Sequence, residues 1–247
     1  MISITLQAEK IFSIAGIHIS NSFFTSILIT LFLLILVIFF YTHKNKNKLF
    51  FIKSTKILIY KLLQLTDSIT KNRKLSKTIL PLIATLFIFI VSSNVLALIP
   101  GFLGSFFIQE GNKAIPLLRS PNSDLTITLA LAIISVISIQ YYSLKALGFL
   151  KYMQRFINFQ NPITFTLGIF ELISELVKIL SFSFRLFGNV FAGEILLLII
   201  SMLVPYLIPL PFMFLELFIG IIQAFIFSIL TLSFIQTSSF SETNINN

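Results

Sequence analysis

Five apolar runs, each long enough to cross a bilayer, decide what this chain can fold into. They lie at about 21–42 ("NSFFTSILITLFLLILVIFFYT"), 77–99 and 123–149, followed by two longer stretches at about 163–204 and 211–238. With 56% hydrophobic and 11% charged residues and a mean hydropathy of +0.98, the chain has too little polar surface to cover a water-soluble globule. The expected fold is therefore an all-α polytopic membrane protein, a single membrane domain over 1–247. Residues 1–20 lack the basic start and small-residue cleavage site of a secretory signal, and no Arg-rich transit peptide is visible, so the first run is expected to stay in the mature protein. Cysteine is absent, which excludes disulfides and thiolate metal sites.

Between the first two runs, over 45–70, lysines alternate with apolar residues at near-helical spacing ("LFFIKSTKILIYKLLQL"). This pattern predicts an interfacial amphipathic helix with basic flanks. More than half of the 18 Lys and Arg residues fall between Lys44 and Lys77, with Asp67 the only acid among them. Positive charge on short loops marks the cytoplasmic or matrix side, so the N-terminus is expected outside and the C-terminus inside. The basic "SLKALGFLKYMQR" at 143–155 then also falls inside, which agrees independently.

The last two runs are too long to stand upright. At 1.5 Å per residue a continuous helix over 163–204 is about 60 Å long, about twice a hydrocarbon core of ~30 Å, so it must tilt steeply or break. The 211–238 stretch, about 40 Å by the same rise, must tilt as well. Pro205, Pro209 and Pro211 in "VPYLIPLP" cannot continue a helix and make a turn between them. The two runs should form a steeply tilted, membrane-embedded helical hairpin beside three upright spans.

Polar residues in that hairpin share a face. Counting 100° per residue from Arg185, Lys178 lies about 20° away, Asn189 and Glu171 about 40°, and Glu175 about 80°. Ser181, Gly188 and Ala192 border this stripe on its other side and would let another helix approach closely. Glu194 points about 180° away from Arg185. Glu216 and Gln223, seven apart on the last helix, again share a face. Each group also has a plainer reading. Glu171, Glu175 and Lys178 can be surface ion pairs of the inner helix end, and Glu194 and Glu216 can share a proton structurally. Arg185 resists such a reading, because an arginine at membrane depth costs ~3 kcal/mol or more and no acid one turn outward on its face offsets it. His18 and His43 fall on opposite sides of the membrane and cannot chelate one metal together. No phosphate loop and no nucleophile with an adjacent base occur.

These residues carry a resemblance. "SFRLFGNVFAGE" at 183–194, followed by "ELFIGIIQAFIFSILTLSFI" at 216–235, resembles subunit a of the rotary F-type ATP synthases. Supporting matches lie in "LPLIATLFIFIVSSNVLALIPGF" and in "SPNSDLTITLALAI", which contains Asp124, and the likeness covers residues 10–238. It implies a stator subunit that does not itself catalyse ATP chemistry and carries no cofactor. Its implied partners are the c-ring of subunit c, the peripheral-stalk subunit b, the other synthase subunits and membrane lipid, but not nucleic acid. Position by position, the resemblance implies that Arg185 is the stator arginine facing the ring. It further implies that Asn189, Glu194, Glu216 and Gln223 line a half-channel open to the outside and that Glu171 and Ser174 line one open to the inside; Lys178 also matches a family position. A histidine that some relatives carry at the place of Glu216 or of Glu194 is absent, so the relay would use two carboxyls. The implied location is an energy-coupling membrane, with the bacterial plasma membrane favoured by Glu194 and the long basic loop, and an organellar inner membrane also open.

A ring carboxylate that has lost its proton should rest only beside a cation. Guanidinium supplies that charge without itself relaying protons, because it does not deprotonate in any accessible range. A secondary ion-coupled transporter is the competing class. It would show inverted repeats or paired broken helices, and neither is seen. Sodium in place of protons as the coupling ion stays open at this stage.

Overall fold

The computed structural model describes residues 10–14, 17–42, 50–98, 107–110, 113–116, 118–156, 162–204 and 207–240. His43, residues 45–49 of the basic segment and Pro205 lie outside them, as does the side chain of His18. Seven helices are described: α1 (Asn21–Thr42), α2 (Phe50–Thr70), α3 (Arg73–Ala97), α4 (Leu125–Leu147), α5 (Phe149–Phe156), α6 (Pro162–Leu203) and α7 (Pro209–Phe240). All but α2 and α5 are long and apolar enough to cross a membrane, so the protein is an α-helical, multi-pass membrane protein. Two short antiparallel hairpins, β1 (Lys10–Ile14) with β2 (Ile17–Ser20) and β3 (Phe107–Glu110) with β4 (Lys113–Pro116), are additions that the apolar pattern did not suggest.

Local chemistry explains where the helices stop. At the α2–α3 corner Lys71 adopts a positive φ of 51°, and Asn72 caps α3 by accepting from the Lys74 and Leu75 N–H groups at 3.0 and 3.3 Å. This cap starts α3 at Arg73, ahead of the apolar run itself. Asp67 and Arg73 pair across the same corner, and the Thr70 and Ser76 hydroxyls meet at 2.6 Å. At the other end of the bundle Asp124 caps α4, accepting from Thr126 N–H at 2.9 Å, and Gly148 closes α4 with a positive φ of 82° that glycine adopts without a Cβ penalty. Pro209 and Pro211 occupy the first turn of α7, where a missing N–H costs nothing.

The core lies between α3, α4, α6 and α7. Leu86 and Ile90, Ala132 and Val136, Phe182 and Leu186, and Ala224 and Phe227 form one buried cluster. The Phe182 and Phe227 ring centroids stand 4.9 Å apart. A second cluster of Ile79, Ile83, Ile139, Leu232 and Ile235 continues it towards the basic ends of the helices. Polar residues inside this core pair across helices, as Thr128 does with Ser183 at 3.2 Å and Ser143 with the Ser238 carbonyl at 3.1 Å.

α6 is one unbroken α-helix of 42 residues, about 63 Å long, so of the two options its length allowed it does not take the break. α7 runs antiparallel to it: Lys178 lies beside Phe234, Phe182 beside Phe227, and Asn189 beside Gln223. The hairpin presents one long edge to the bundle and leaves the other uncovered. On that open edge Val177, Leu180, Ser181, Phe184, Gly188 and Ala192 are exposed.

Candidate functional site

Arg185 stands at the middle of α6, half-buried, and its Nη2 donates to Ser181 Oγ one turn back at 3.2 Å. Among the described residues it takes part in no ion pair. Polar groups continue from it in both directions along the hairpin. Towards the start of α6 a cleft of about 250 Å³ opens, lined by Ser174, Lys178, Ser181 and Arg185 on one helix and by Leu230 and Phe234 on the other. Lys178 donates to Glu175 Oε1 at 2.7 Å and lies 4.9 Å from the centre of the Phe234 ring. Glu175 is buried at 9% exposure, and its second oxygen has no hydrogen-bond partner among the described residues. Glu171, one turn further, is half-buried and is not part of that lining.

In the other direction Asn189 Nδ2 donates to Gln223 Oε1 at 2.9 Å, joining the arms of the hairpin. Beyond this bond lies a small cavity of about 10 Å³, close to the least room a single water needs, lined by Asn94, Asn189, Glu216, Gly220 and Gln223. Asn94 donates to the Gly220 carbonyl at 2.9 Å and accepts from Asn122 at 2.7 Å. Two glycines make these approaches possible. A Cβ at Gly220 would stand 2.9 Å from Asn94 Cβ, and one at Gly193 would collide with the Glu216 carboxyl. Helix-to-helix contact at such short range requires residues without side chains.

Glu194 faces away from Arg185 towards the segment 118–124 that leads into α4. Its Oε2 stands 3.8 Å from Arg119 Nε, a charge-pair distance too long for a direct hydrogen bond. Arg119 is held in turn: its backbone N–H donates to Thr25 Oγ1 of α1 at 3.2 Å, and Nε donates to Ser123 Oγ at 3.3 Å. Pattern reasoning passed over Arg119. The only signal was a cation directly ahead of the helix-starting "SPNSD". Asp124, by contrast, belongs to the scaffold. One carboxylate oxygen caps α4 and the other accepts from the Ser22 hydroxyl of α1.

Buried polar atoms without a partner among the described residues concentrate here. They include Ser120 Oγ, Asn122 Oδ1, Glu194 Oε1, Glu216 Oε2 and Gln223 Nε2. Such atoms in a membrane interior require water, and a file of them is what a water-filled path would be lined with. Chemically the arrangement offers two carboxyls able to carry protons, amides able to hold water, and one permanent cation beyond them.

The fold and these groups define a polytopic helical membrane protein with ionisable residues inside its spanning helices, a placement that marks ion pathways. Residues 23–236 match the family described as ATP synthase A chain, and the chain belongs to that family. It is 38% identical to the ATP synthase subunit a of Moorella thermoacetica over 63% of this chain and 62% of that one. It is 36% identical to the subunit a of Aliarcobacter butzleri over 70% and 69% of the two chains, and 38% identical to that of Campylobacter jejuni (strain 81-176) over 65% and 64%. The aligned part thus spans about two thirds of the length of these curated relatives.

Proposed function

We propose that this chain is the proton-conducting stator subunit of an F-type ATP synthase. It provides two offset half-channels against a rotating c-ring and couples proton flow to rotation and ATP synthesis. The observation that carries the reading is Arg185, a cation at membrane depth without an acidic partner among the described residues, with the Ser174–Lys178 cleft on one side of it along the hairpin and the small cavity beside Asn189, Glu216 and Gln223 on the other. Protons are taken up past Glu194 and Glu216, pass the Asn189–Gln223 bond to a ring carboxyl, and leave past Ser174 and Glu171 after a full turn of the ring. Lys178, paired with Glu175, keeps the exit cleft polar. Asp124 serves by holding α1 to α4.

Arg185 attracts the deprotonated ring carboxylate and cannot hand a proton across, so it separates the two paths electrostatically. At ~2.3 kcal/mol per 100 mV, a proton crossing ~150 mV releases roughly 3.5 kcal/mol, which is lost if protons bypass the ring. The ring docks on the open edge of α6, where Ser181, Gly188 and Ala192 allow close approach and nothing stands within 4 Å of the Cβ position of Gly188. Subunit b is the further partner. The N-terminus lies outside and the C-terminus inside, with α2 on the inner surface and its Lys53, Lys56 and Lys61 facing the headgroups. The membrane is the bacterial plasma membrane, in keeping with the bacterial relatives.

Silver-ion access tests the reading. In the cysteine-free chain, Gln223→Cys should block transport when silver is applied from outside, and Ser174→Cys when it is applied from inside. Equal inhibition of both variants from both faces, with Arg185 intact, overturns the two-path reading.

A further inference from the structure

Three ionisable side chains meet on the uptake side, not two. Arg119 faces Glu194 at 3.8 Å, and the Glu216 carboxyl is pressed against Gly193, the neighbour of Glu194 in sequence. We propose that Arg119 sets the proton count of the Glu194–Glu216 pair, so that the pair rests with one transferable proton shared between two carboxyls. The inference rests on the proton-path reading and adds to it a residue that neither the motif nor the arginine at 185 accounts for.

Charge conservation in a narrow path, where water is sparse, sets the constraint. Glu194 Oε1 and Glu216 Oε2 are both buried without a protein partner, so a net charge there is poorly compensated. With Arg119 cationic, the cluster is neutral when the pair holds one proton and singly negative once that proton is delivered. Without Arg119, neutrality requires two protons, and a pair holding one would already be an uncompensated anion that delivers its proton only by becoming doubly negative. Among the residues whose side chains are described, no other charge takes the part of Arg119. α1 carries no charged residue, and the charges of α3 (Arg73, Lys74, Lys77) and α4 (Lys145) all lie at the opposite ends of those helices. Asp124, the other acid of the 118–124 segment, is engaged by Thr126 N–H and the Ser22 hydroxyl. Arg185 points to the opposite side of α6. Asn94, Asn122, Asn189 and Gln223, which face the pair from α3, the 118–124 segment, α6 and α7, do not titrate.

Arg119 is thus a positioning residue, acting through Glu194, and its signature is a pH profile. In the assembled synthase in proteoliposomes, ATP synthesis is measured against pH on the uptake side, at fixed pH on the other side and fixed potential. Arg119→Gln should move the profile alkaline by about one unit or more, the size of effect that an opposite charge within ~4–6 Å exerts, and lower its maximum. Arg119→Lys should keep the profile in place at reduced rate. The double variant Arg119→Gln/Glu194→Gln removes one cation and one acid together, leaves Glu216 alternating between neutral and singly negative, and should return the profile towards its original position. An unmoved profile in Arg119→Gln, with Glu216→Gln still slowing flux, overturns the proton-count role and leaves the path intact. Undiminished flux in Glu216→Gln and in Glu194→Gln overturns the path itself. If Arg119→Gln fails to assemble, the double variant decides: assembly with coupled synthesis supports the charge argument, and failure of both shows Arg119 to be a scaffold residue and overturns the proposal.

Discussion

Asn189 and Gln223 join the two long helices by one hydrogen bond of 2.9 Å, 34 residues apart in sequence and one turn beyond Arg185. Gln223 is 3% exposed, and its amide nitrogen has no partner among the described residues. The bond therefore fixes which face of α7 meets the polar stripe of α6. It leaves both N–H donors of the Gln223 amide for water. Replacing Gln223 by Leu, similar in size but unable to bond, is expected to lower ATP-driven proton pumping about tenfold, the equivalent of one lost hydrogen bond of ~1.4 kcal/mol. Fluorescence quenching of a pH dye in inverted vesicles measures this, and pumping at the parental rate would show that the bond is dispensable.

Arg185→Ala is expected to abolish both ATP synthesis and ATP-driven pumping while the complex still assembles, because the half-buried guanidinium makes one side-chain bond and no ion pair among the described residues. Arg185→Lys should fail largely as well, since an ammonium loses its proton when desolvated and can then pass protons between the two paths. Synthesis rates and subunit content of purified complexes check both expectations. Coupled synthesis near the parental level in either variant contradicts the separation of the paths.

Gly220→Ala places a methyl group against Asn94, at a point where the Asn94 amide already bonds the Gly220 carbonyl. Pushing α3 from α7 should cost about 1–3 kcal/mol, the usual penalty for overpacking. Thermal unfolding in detergent should register it as a lowered midpoint. Gly193→Ala differs in kind: the added methyl meets the Glu216 carboxyl, so proton flux should fall more than stability does.

Asp124→Ala removes both the cap of α4 and the tether from Ser22, and should destabilise the subunit by about 1–2 kcal/mol. Asp124→Asn keeps a capping oxygen and should lose much less. The amount of subunit retained in membranes distinguishes the two. A changed pH profile in Asp124→Asn, with normal retention, would instead draw Asp124 into the proton path.

Much of this was readable along the chain, for a physical reason. Apolar length is a local property: it placed five spanning helices, and it required the run beginning near 163 either to tilt or to break. Helical periodicity is local too, so Lys178, Arg185 and Asn189 were known to share a face before any partner helix was positioned. Arg185 stood out because a cation inside an apolar run has no ordinary explanation. The basic segment after the first run declared its amphipathic pattern in the same way.

What the chain order could not disclose is which faces meet. Whether α6 tilts whole or breaks depends on its packing, and so does the choice of Gln223 rather than another α7 residue as the partner of Asn189. Arg119 and Glu194 belong to segments whose periodicities are unrelated, and only the seating of 118–124 between α1, α3, α4 and α6 brings them to 3.8 Å. Asp124 read as part of a motif, and tertiary structure made it a cap and a tether. Pairing between distant segments depends on shape and close approach, here on two glycines without side chains, whereas helix formation and burial of an apolar stripe depend on neighbours three and four residues away.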